Sequence, residues 1–345
     1  MFLDTLNMSI DLGTANLLIG IRGEGIVFNE PFLLAVERES GRIEAIGKEA
    51  ERMAEKTPKG ITVASPMRRG AIADFSLARS YIRQSLRTCT RGPVLRRPSV
   101  VVGTRSCAND IDRKALYQVL ESAGVGTVTY CPDSLAAAAG LNLPILEPSG
   151  VAICDVGGGI SEISVLCLGG VVATILVPVG GLDFNAAIRK HVQEKYSVVI
   201  GDQSAEYLKV RSGSGGAGDE DGAIAVSGVN RQTRLPQRLR VSPAEVQEVM
   251  IPLFTQISDG VKKAFRQISP ELMADVVEGG IVFCGGSALL SGLRQLVEKE
   301  VGIAVTIAEA PLTCVIAGLT RALDEGGWNG CRRKSFVQRP KGWRT

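Results

Sequence analysis

Two short stretches in opposite halves of the chain carry one chemical plan. Ile10-Asp11-Leu12-Gly13-Thr14-Ala15-Asn16 and Cys154-Asp155-Val156-Gly157-Gly158-Gly159-Ile160 each join an apolar strand, an aspartate, one apolar residue and a run of small residues. Each run leads straight into another strand. Small residues in a turn leave backbone N–H groups open to phosphate oxygens. An aspartate at a strand end suits hydrated Mg²⁺, which keeps several waters and takes few carboxylates. One such turn is common in plain hairpins, whereas two, one per half, point to a phosphate chain held from both sides. Because the turns return into strands and not into helices, they are neither a P-loop nor a dinucleotide fingerprint. A third glycine turn, Gly285-Gly286-Ser287, follows the apolar run 281–284 and precedes an apolar helix start at Ala288-Leu289-Leu290. It suits either close approach of a ligand to the backbone or close packing of strand on helix.

The elements that must carry these turns alternate between strand and helix, the texture of α/β domains. Strands are expected at 9–10, 17–21, 99–103, 127–131 and 151–154, with a helix over 113–122. A second helix begins near Asp133, whose Leu135-Ala136-Ala137-Ala138-Ala139 run is rich in the best helix former. Ser242-Pro243-Ala244-Glu245 opens another, with a capping serine and proline at its first position. The uncharged stretch 163–182 is interrupted by Gly169-Gly170, Pro178 and Gly180-Gly181, so it reads as a hairpin of strands at 163–168 and 171–177 and not as a membrane span. Residues 211–222 are rich in Gly, Ser and Asp and read as a loop in a small subdomain.

With 345 residues, 45% of them hydrophobic, two or more domains are expected. The net charge of +3 does not point to nucleic acid. No two of the eight cysteines form a Cys-x-x-Cys pair, and His191 is the one histidine, which argues against zinc. Most of the cysteines sit in apolar runs and act as small hydrophobes. No secretory signal is read, and a reducing cytoplasm is expected.

Seven segments, in order, resemble the MreB family of bacterial actin-like proteins: SIDLGTAN (9–16), GIVFNEPFLLAV (25–36), PMRRGAIADF (66–75), DVGGGISEISV (155–165), GDQSAEYLK (201–209), VSG with the later LP, and EAPLTCVIAG (309–318). The resemblance runs from about residue 8 to 324. It implies an actin-like α/β fold of two lobes, each with a large and a small subdomain, around a cleft for ATP and Mg²⁺. The first lobe would be 1–140, with a small subdomain at about 31–69 and completion by 312–324. The second would be 141–311, with a small subdomain at about 182–242. The match implies phosphate contacts from Thr14, Ala15, Asn16, Gly157, Gly158 and Gly159, and metal-side roles for Asp11 and Asp155. Glu206 and Lys209, one helical turn apart, would reach the nucleoside; the residues alone fit an exposed salt bridge equally. Gly285, Gly286 and Ser287 would lie along the adenosine. The family forms nucleotide-dependent filaments on the inner face of the cytoplasmic membrane and organises cell-wall elongation and rod shape. Implied partners are therefore copies of this chain, the membrane and the elongation machinery, with no nucleic acid.

The departures concern hydrolysis. Pro132-Asp133-Ser134 stands where the family has Glu-Glu-Pro, so Asp133 replaces the glutamate that positions the attacking water; by itself Asp133 reads as a helix cap or first-turn acid. Ile160 replaces a threonine after the glycine run. Ser161 is adjacent, but alternation along a strand turns it elsewhere. Leu17 replaces the usual threonine after the GTAN run. The phosphate cradle is kept, and a slow ATPase at most is expected. The family also inserts an N-terminal segment or a loop into the bilayer. Here residues 1–6 make a feeble anchor, whereas Val94 and Leu95 lie between prolines with Arg91, Arg96 and Arg97 beside them, which suits an anionic interface; folding back onto the core is the other reading. Residues 325–345 are basic and hold both tryptophans, fitting either a membrane contact or a silent, disordered extension. The alternative function is an actin-fold small-molecule kinase, for which no motif for a substrate-directed aspartate base is found.

Overall fold

The computed structural model describes residues 7–54, 56–90, 97–213 and 222–324. Val94, Leu95, the N-terminal six residues, most of the 211–222 loop and the basic tail lie outside the described residues. The chain opens with strands β1 (Asn7–Leu12), β2 (Asn16–Ile21) and β3 (Gly25–Pro31). A small group follows: β4 (Leu34–Glu37), β5 (Ile43–Ile46), helix α1 (Gly47–Met53) and β6 (Ile61–Ala64). Then come β7 (Met67–Arg68), β8 (Ala71–Ile72), α2 (Phe75–Cys89), β9 (Ser99–Thr104), α3 (Asp110–Ala123), β10 (Thr127–Pro132) and α4 (Asp133–Gly140). The next strands are β11 (Val151–Val156), β12 (Ser161–Cys167) and β13 (Gly170–Val177), followed by α5 (Gly181–Tyr196), β14 (Val198–Val199) and α6 (Asp202–Gly213). After β15 (Ile224–Asn230) and β16 (Pro236–Val241) come α7 (Pro243–Phe265), α8 (Pro270–Gly279) and β17 (Ile281–Cys284). A 3-10 turn (Gly286–Leu289), α9 (Ser291–Val301), β18 (Val305–Ile307) and α10 (Cys314–Asp324) complete the described chain.

The chain divides into two compact units, one of Met1–Val151, Ser164–Thr174 and Leu312–Thr345, the other of Ala152–Ile163 and Ile175–Pro311. One five-stranded sheet has the order β10-β9-β1-β2-β3 and the other β18-β17-β11-β12-β13. In the first, β9 and β10 run parallel to β1, while β2 returns antiparallel to β1 and β3 antiparallel to β2. In the second, β17 and β18 run parallel to β11. Each sheet therefore sets a hairpin strand beside two later parallel strands, and the repeat read from two aspartate turns extends to whole sheets. Parallel strands need crossovers, which α3 supplies between β9 and β10.

The hairpin expected at 163–177 is present. Leu168 and Gly169 form its two-residue turn with φ of 49° and 71°, the left-handed pair that tight hairpins require. Among the described residues no helix is long and apolar enough to cross a membrane. Two local expectations need correction. The residues after Gly285 make a 3-10 turn, and α9 begins only at Ser291, because Gly285 (φ 81°) and extended Leu290 (ψ 103°) leave room between them for a single turn. Ser242 does occupy the N-cap of α7, yet its side chain makes no capping bond; its carbonyl accepts from Val246 N–H at 3.2 Å instead.

The core of the first unit gathers Met8, Ile10, Leu17 and Ile19 under Tyr81, Ile82, Leu86 and Leu120. Its tightest contact lies between two helices. In α4 every residue from Ser134 to Ala139 is buried, and α10 lies against α4 and β1. A Cβ on Gly318 would overlap the Ala136 carbonyl oxygen, and one on Gly140 would overlap that of Cys314. The alanine run thus serves close packing as well as helix propensity. Ser9 and Thr320 share a buried hydroxyl hydrogen bond of 2.7 Å in the same layer. Gly318→Ala should destabilise by about 1–3 kcal/mol, the usual cost of overpacking, because a main-chain oxygen cannot turn aside. Urea unfolding would show a lower midpoint at unchanged slope, while Gly279→Ala, with open space around it, should not lower it.

Candidate functional site

In the first unit the candidate residues stand at the carboxyl ends of parallel strands, where α/β sheets place their ligands. Asp11 lies near the end of β1, opposite Leu18 on β2. Thr14 and Ala15 form the turn and Asn16 begins β2. Gly13 is needed there, since a Cβ would come within 2.9 Å of the Asn16 carbonyl oxygen. Thr14 is buried and its hydroxyl accepts a hydrogen bond from Gly70 N–H at 2.9 Å, so this side chain braces the turn from behind. Ala15 accepts from Phe32 N–H at 2.7 Å. Asp133 is the first residue of α4, after an N-cap at Pro132 that has no side-chain bond. It is therefore a first-turn acid and not the cap. Its carboxylate lies over Gly103 at the end of β9, where a Cβ would collide with Oδ1. Leu17 is fully buried in the core. Asp11 is half-buried, and burial pushes its carboxyl up to about 6.

In the second unit the candidates converge more tightly. Asp155 is paired in register with Cys284, and a Cβ on Gly285 would collide with Asp155 Oδ1 and lie 2.5 Å from the Val156 carbonyl oxygen. Gly157 N–H donates to Ile160 O at 3.0 Å, which closes the glycine turn. The first two amides of α5 grip that turn: Gly181 N–H donates to Gly157 O at 3.0 Å and Leu182 N–H to Gly158 O at 2.8 Å. Around Gly181, a Cβ would meet Ser287 Oγ at 3.1 Å, Lys209 Nζ at 3.3 Å and Gly158 Cα at 3.7 Å. Lys209 is buried, donates to Gly181 O at 3.2 Å and pairs with Glu206 at 2.7 Å. The pair is thus not the fully exposed bridge its spacing alone allowed, since the lysine is held inside. Glu206 also accepts from Asn185 Nδ2 at 2.8 Å. Ser161 donates to Val179 O at 2.8 Å from a buried position, so its hydroxyl is turned away, as strand alternation requires.

Sequence reasoning missed Gly180, Gly181, Asp183 and Asn185. The Gly-Gly pair was visible, but only as a break in an apolar stretch. Gly180 N–H donates to Asp183 Oδ2 at 2.9 Å, which fixes the start of α5 against the glycine turn. Each unit thus presents an aspartate at a strand end beside a glycine-bearing turn.

The family pattern described as MreB/Mbl protein matches residues 5–328. The chain belongs to the MreB/Mbl family. The cell shape-determining protein MreB of Escherichia coli (strain K12) is 36% identical over 323 residues, 92% of this chain and 93% of that protein. A crystal structure of MreB 5 of Spiroplasma citri bound to AMPPNP matches with a TM-score of 0.86 at 29% identity, covering 93% of this chain and 96% of that one. A MamK double helical filament shares the fold, with a TM-score of 0.78 at 19% identity over 93% of this chain and 99% of that one. The fold is the actin-like α/β fold of the MreB/Mbl family, and the small-molecule kinase alternative gains no support.

The strain at Asp11 can be tested. A folded-state value above the ordinary carboxylate range means that the fold favours the protonated acid. Its stabilising share is fully present below the ordinary carboxylate value of 3.8 and is lost as pH rises through about 6. Asp11→Asn should therefore raise the Tm at pH 7.5, with the gain shrinking at pH 5. Thermal melts at the two pH values check the effect.

Proposed function

We propose that this chain is an actin-like cytoskeletal protein that binds ATP with Mg²⁺ and assembles with copies of itself into filaments at the inner face of the cytoplasmic membrane, where it organises cell-wall elongation and rod shape. The carrying observation is the repeated half-site: Asp11 with its turn and Asp155 with its turn, at equivalent places in two sheets of the same strand order, in a chain of the MreB/Mbl family. The AMPPNP-bound relative supports the nucleotide, and the MamK filament supports self-association. In this reading residues 1–140 and 141–311 are the two lobes, with small subdomains near 31–69 and 182–242 and the first lobe completed by 312–324. Val94 and Leu95 provide a membrane contact.

The residues fit their proposed ligand. A desolvated carboxylate such as Asp11 gains from a cation, and Asp155 has its place beside Gly285 only because no Cβ stands there. Asp11 and Asp155 would hold Mg²⁺, which would neutralise phosphate charge. Thr14, Ala15, Asn16, Gly157, Gly158 and Gly159 would line the phosphates, with Gly157, whose own N–H closes the turn onto Ile160 O, shaping the cradle in place of donating to it. Glu206 and Lys209 would hold the nucleoside, with Gly285, Gly286 and Ser287 along the adenosine. Asp155→Ala should weaken Mg-ATP binding and remove ATP-dependent pelleting while circular dichroism stays that of the parent. Tight Mg-ATP binding by this variant would refute the site.

Asp133, one methylene shorter than the family's glutamate, would orient an attacking water poorly, and Ile160 brings no hydroxyl. A misplacement of ~1 Å can cost ~10²-fold in rate, so filaments that bind ATP and turn it over slowly follow. Asp133→Glu combined with Ile160→Thr should raise phosphate release severalfold at unchanged ATP affinity. Unchanged release would show that neither side chain limits the reaction.

A further inference from the structure

Helix α2 buries one face through Ala78, Tyr81, Ile82, Ser85 and Leu86. On its other face Arg79, Arg83 and Arg87 stand one turn apart, all exposed, and among the described residues none of the three makes an ion pair or a side-chain hydrogen bond. The acid-free stretch from Phe75 to Asn109 contains seven arginines and no lysine. Local energetics oppose the stripe. Like charges four residues apart destabilise a helix. Arg79 lies toward the positive end of the macrodipole, where the first turn has no acidic residue to offset it, and only Arg87, in the last turn, is favoured by the dipole. The Asp74 side chain, accepting from Leu77 N–H at 2.9 Å, is spent on the cap.

We propose that this arginine face of α2 is a docking surface for anionic lipid headgroups. Three guanidinium groups in line on a straight helix span about 12 Å, a row suited to a laterally extended array of phosphates. The residues between and beside them are Ser76, Ser80, Gln84 and Thr88, so the face has no apolar centre of the kind that anchors a folded protein partner. Phe75, 41% exposed at the start of the helix, supplies a single aromatic side chain of the type that settles at a bilayer interface. This favours a lipid surface over nucleic acid. The inference rests on the membrane association proposed above and gives it a second, electrostatic contact besides Val94 and Leu95.

The test is flotation of the full chain with vesicles of phosphatidylglycerol and phosphatidylcholine against vesicles of phosphatidylcholine alone. At roughly 1 kcal/mol, or about fivefold, per arginine near an anionic surface, the Arg79→Gln, Arg83→Gln, Arg87→Gln triple variant should partition about 100-fold less to the anionic vesicles. The difference should narrow at high salt, and ATP-dependent pelleting should persist. The corresponding triple lysine variant keeps the charge and should float like the parent. Equal flotation of the glutamine variant would overturn the docking face and leave membrane association standing on other residues. A glutamine variant that keeps vesicle binding but loses a gel shift of single-stranded RNA would overturn it in favour of nucleic acid. No flotation of the parent would remove membrane association itself, and this face with it.

Discussion

Main chain meets main chain at Gly180, and the second half-site depends on that contact. A Cβ there would stand 2.7 Å from Gly158 C and Gly159 N and 2.8 Å from Gly157 O. Without side chains in the way, the opening amides of α5 reach the carbonyls of Gly157 and Gly158 and lock the glycine turn. The lock satisfies helix-end donors that would otherwise need water or a cap. It also sets the positive end of the α5 macrodipole directly behind the turn. Lys209 and Ser287 then find their places around Gly181, one from α6 and the other from the turn after β17. A locked glycine turn follows from one steric constraint, and it joins four segments, around 157–159, 180–182, 209 and 287, that lie apart in sequence.

The first unit solves its positioning problem with helices. Asp133 heads α4, and α4 is clamped by α10, the last described element, through Gly318 on Ala136 and Gly140 on Cys314. The same helix reaches β1 through the Thr320–Ser9 hydrogen bond. The Asp133 carboxylate, over Gly103, and the strand that carries Asp11 are therefore braced by one C-terminal helix. Small residues are needed along this seam for the reason they are needed at Gly180: a side chain would occupy the space of a backbone atom.

In the proposed reading, binding and turnover rest on different parts of this architecture. Closed turns and buried braces such as Thr14 on Gly70 depend on backbone geometry, and the departures from the family pattern leave them in place. Two of those departures, Asp133 and Ile160, fall on side chains that the proposed reading puts near the γ-phosphate, while the third, Leu17, is buried in the core; Ser161, committed to Val179, does not replace the hydroxyl missing at Ile160. A polymer that needs bound nucleotide to assemble can tolerate such losses more readily than an enzyme selected for turnover.

Much of the fold was legible because its signals are local. The two aspartate turns, the alanine-rich helix and the glycine breaks at 169–181 depend on residue size and periodicity within a few positions, and they marked β1, β2, β11, α4 and the β12–β13 hairpin. The 3-10 turn after Gly285 escaped, since its length is set by Leu290 at the far end and not by the glycines that announce it. The unused Ser242 cap escaped because the residue type promises a bond that a side-chain rotation can decline. Gly180 and Gly181 read as interruptions until the α5 amides were seen to grip the glycine turn. Lys209 and Glu206 could be paired from their spacing, but not with the lysine buried under Gly181. By itself the sequence determined which residues are small enough for backbone contacts and which acids stand at strand ends. Only the tertiary structure decided which backbones those small residues meet, because such contacts join segments that chain order keeps apart.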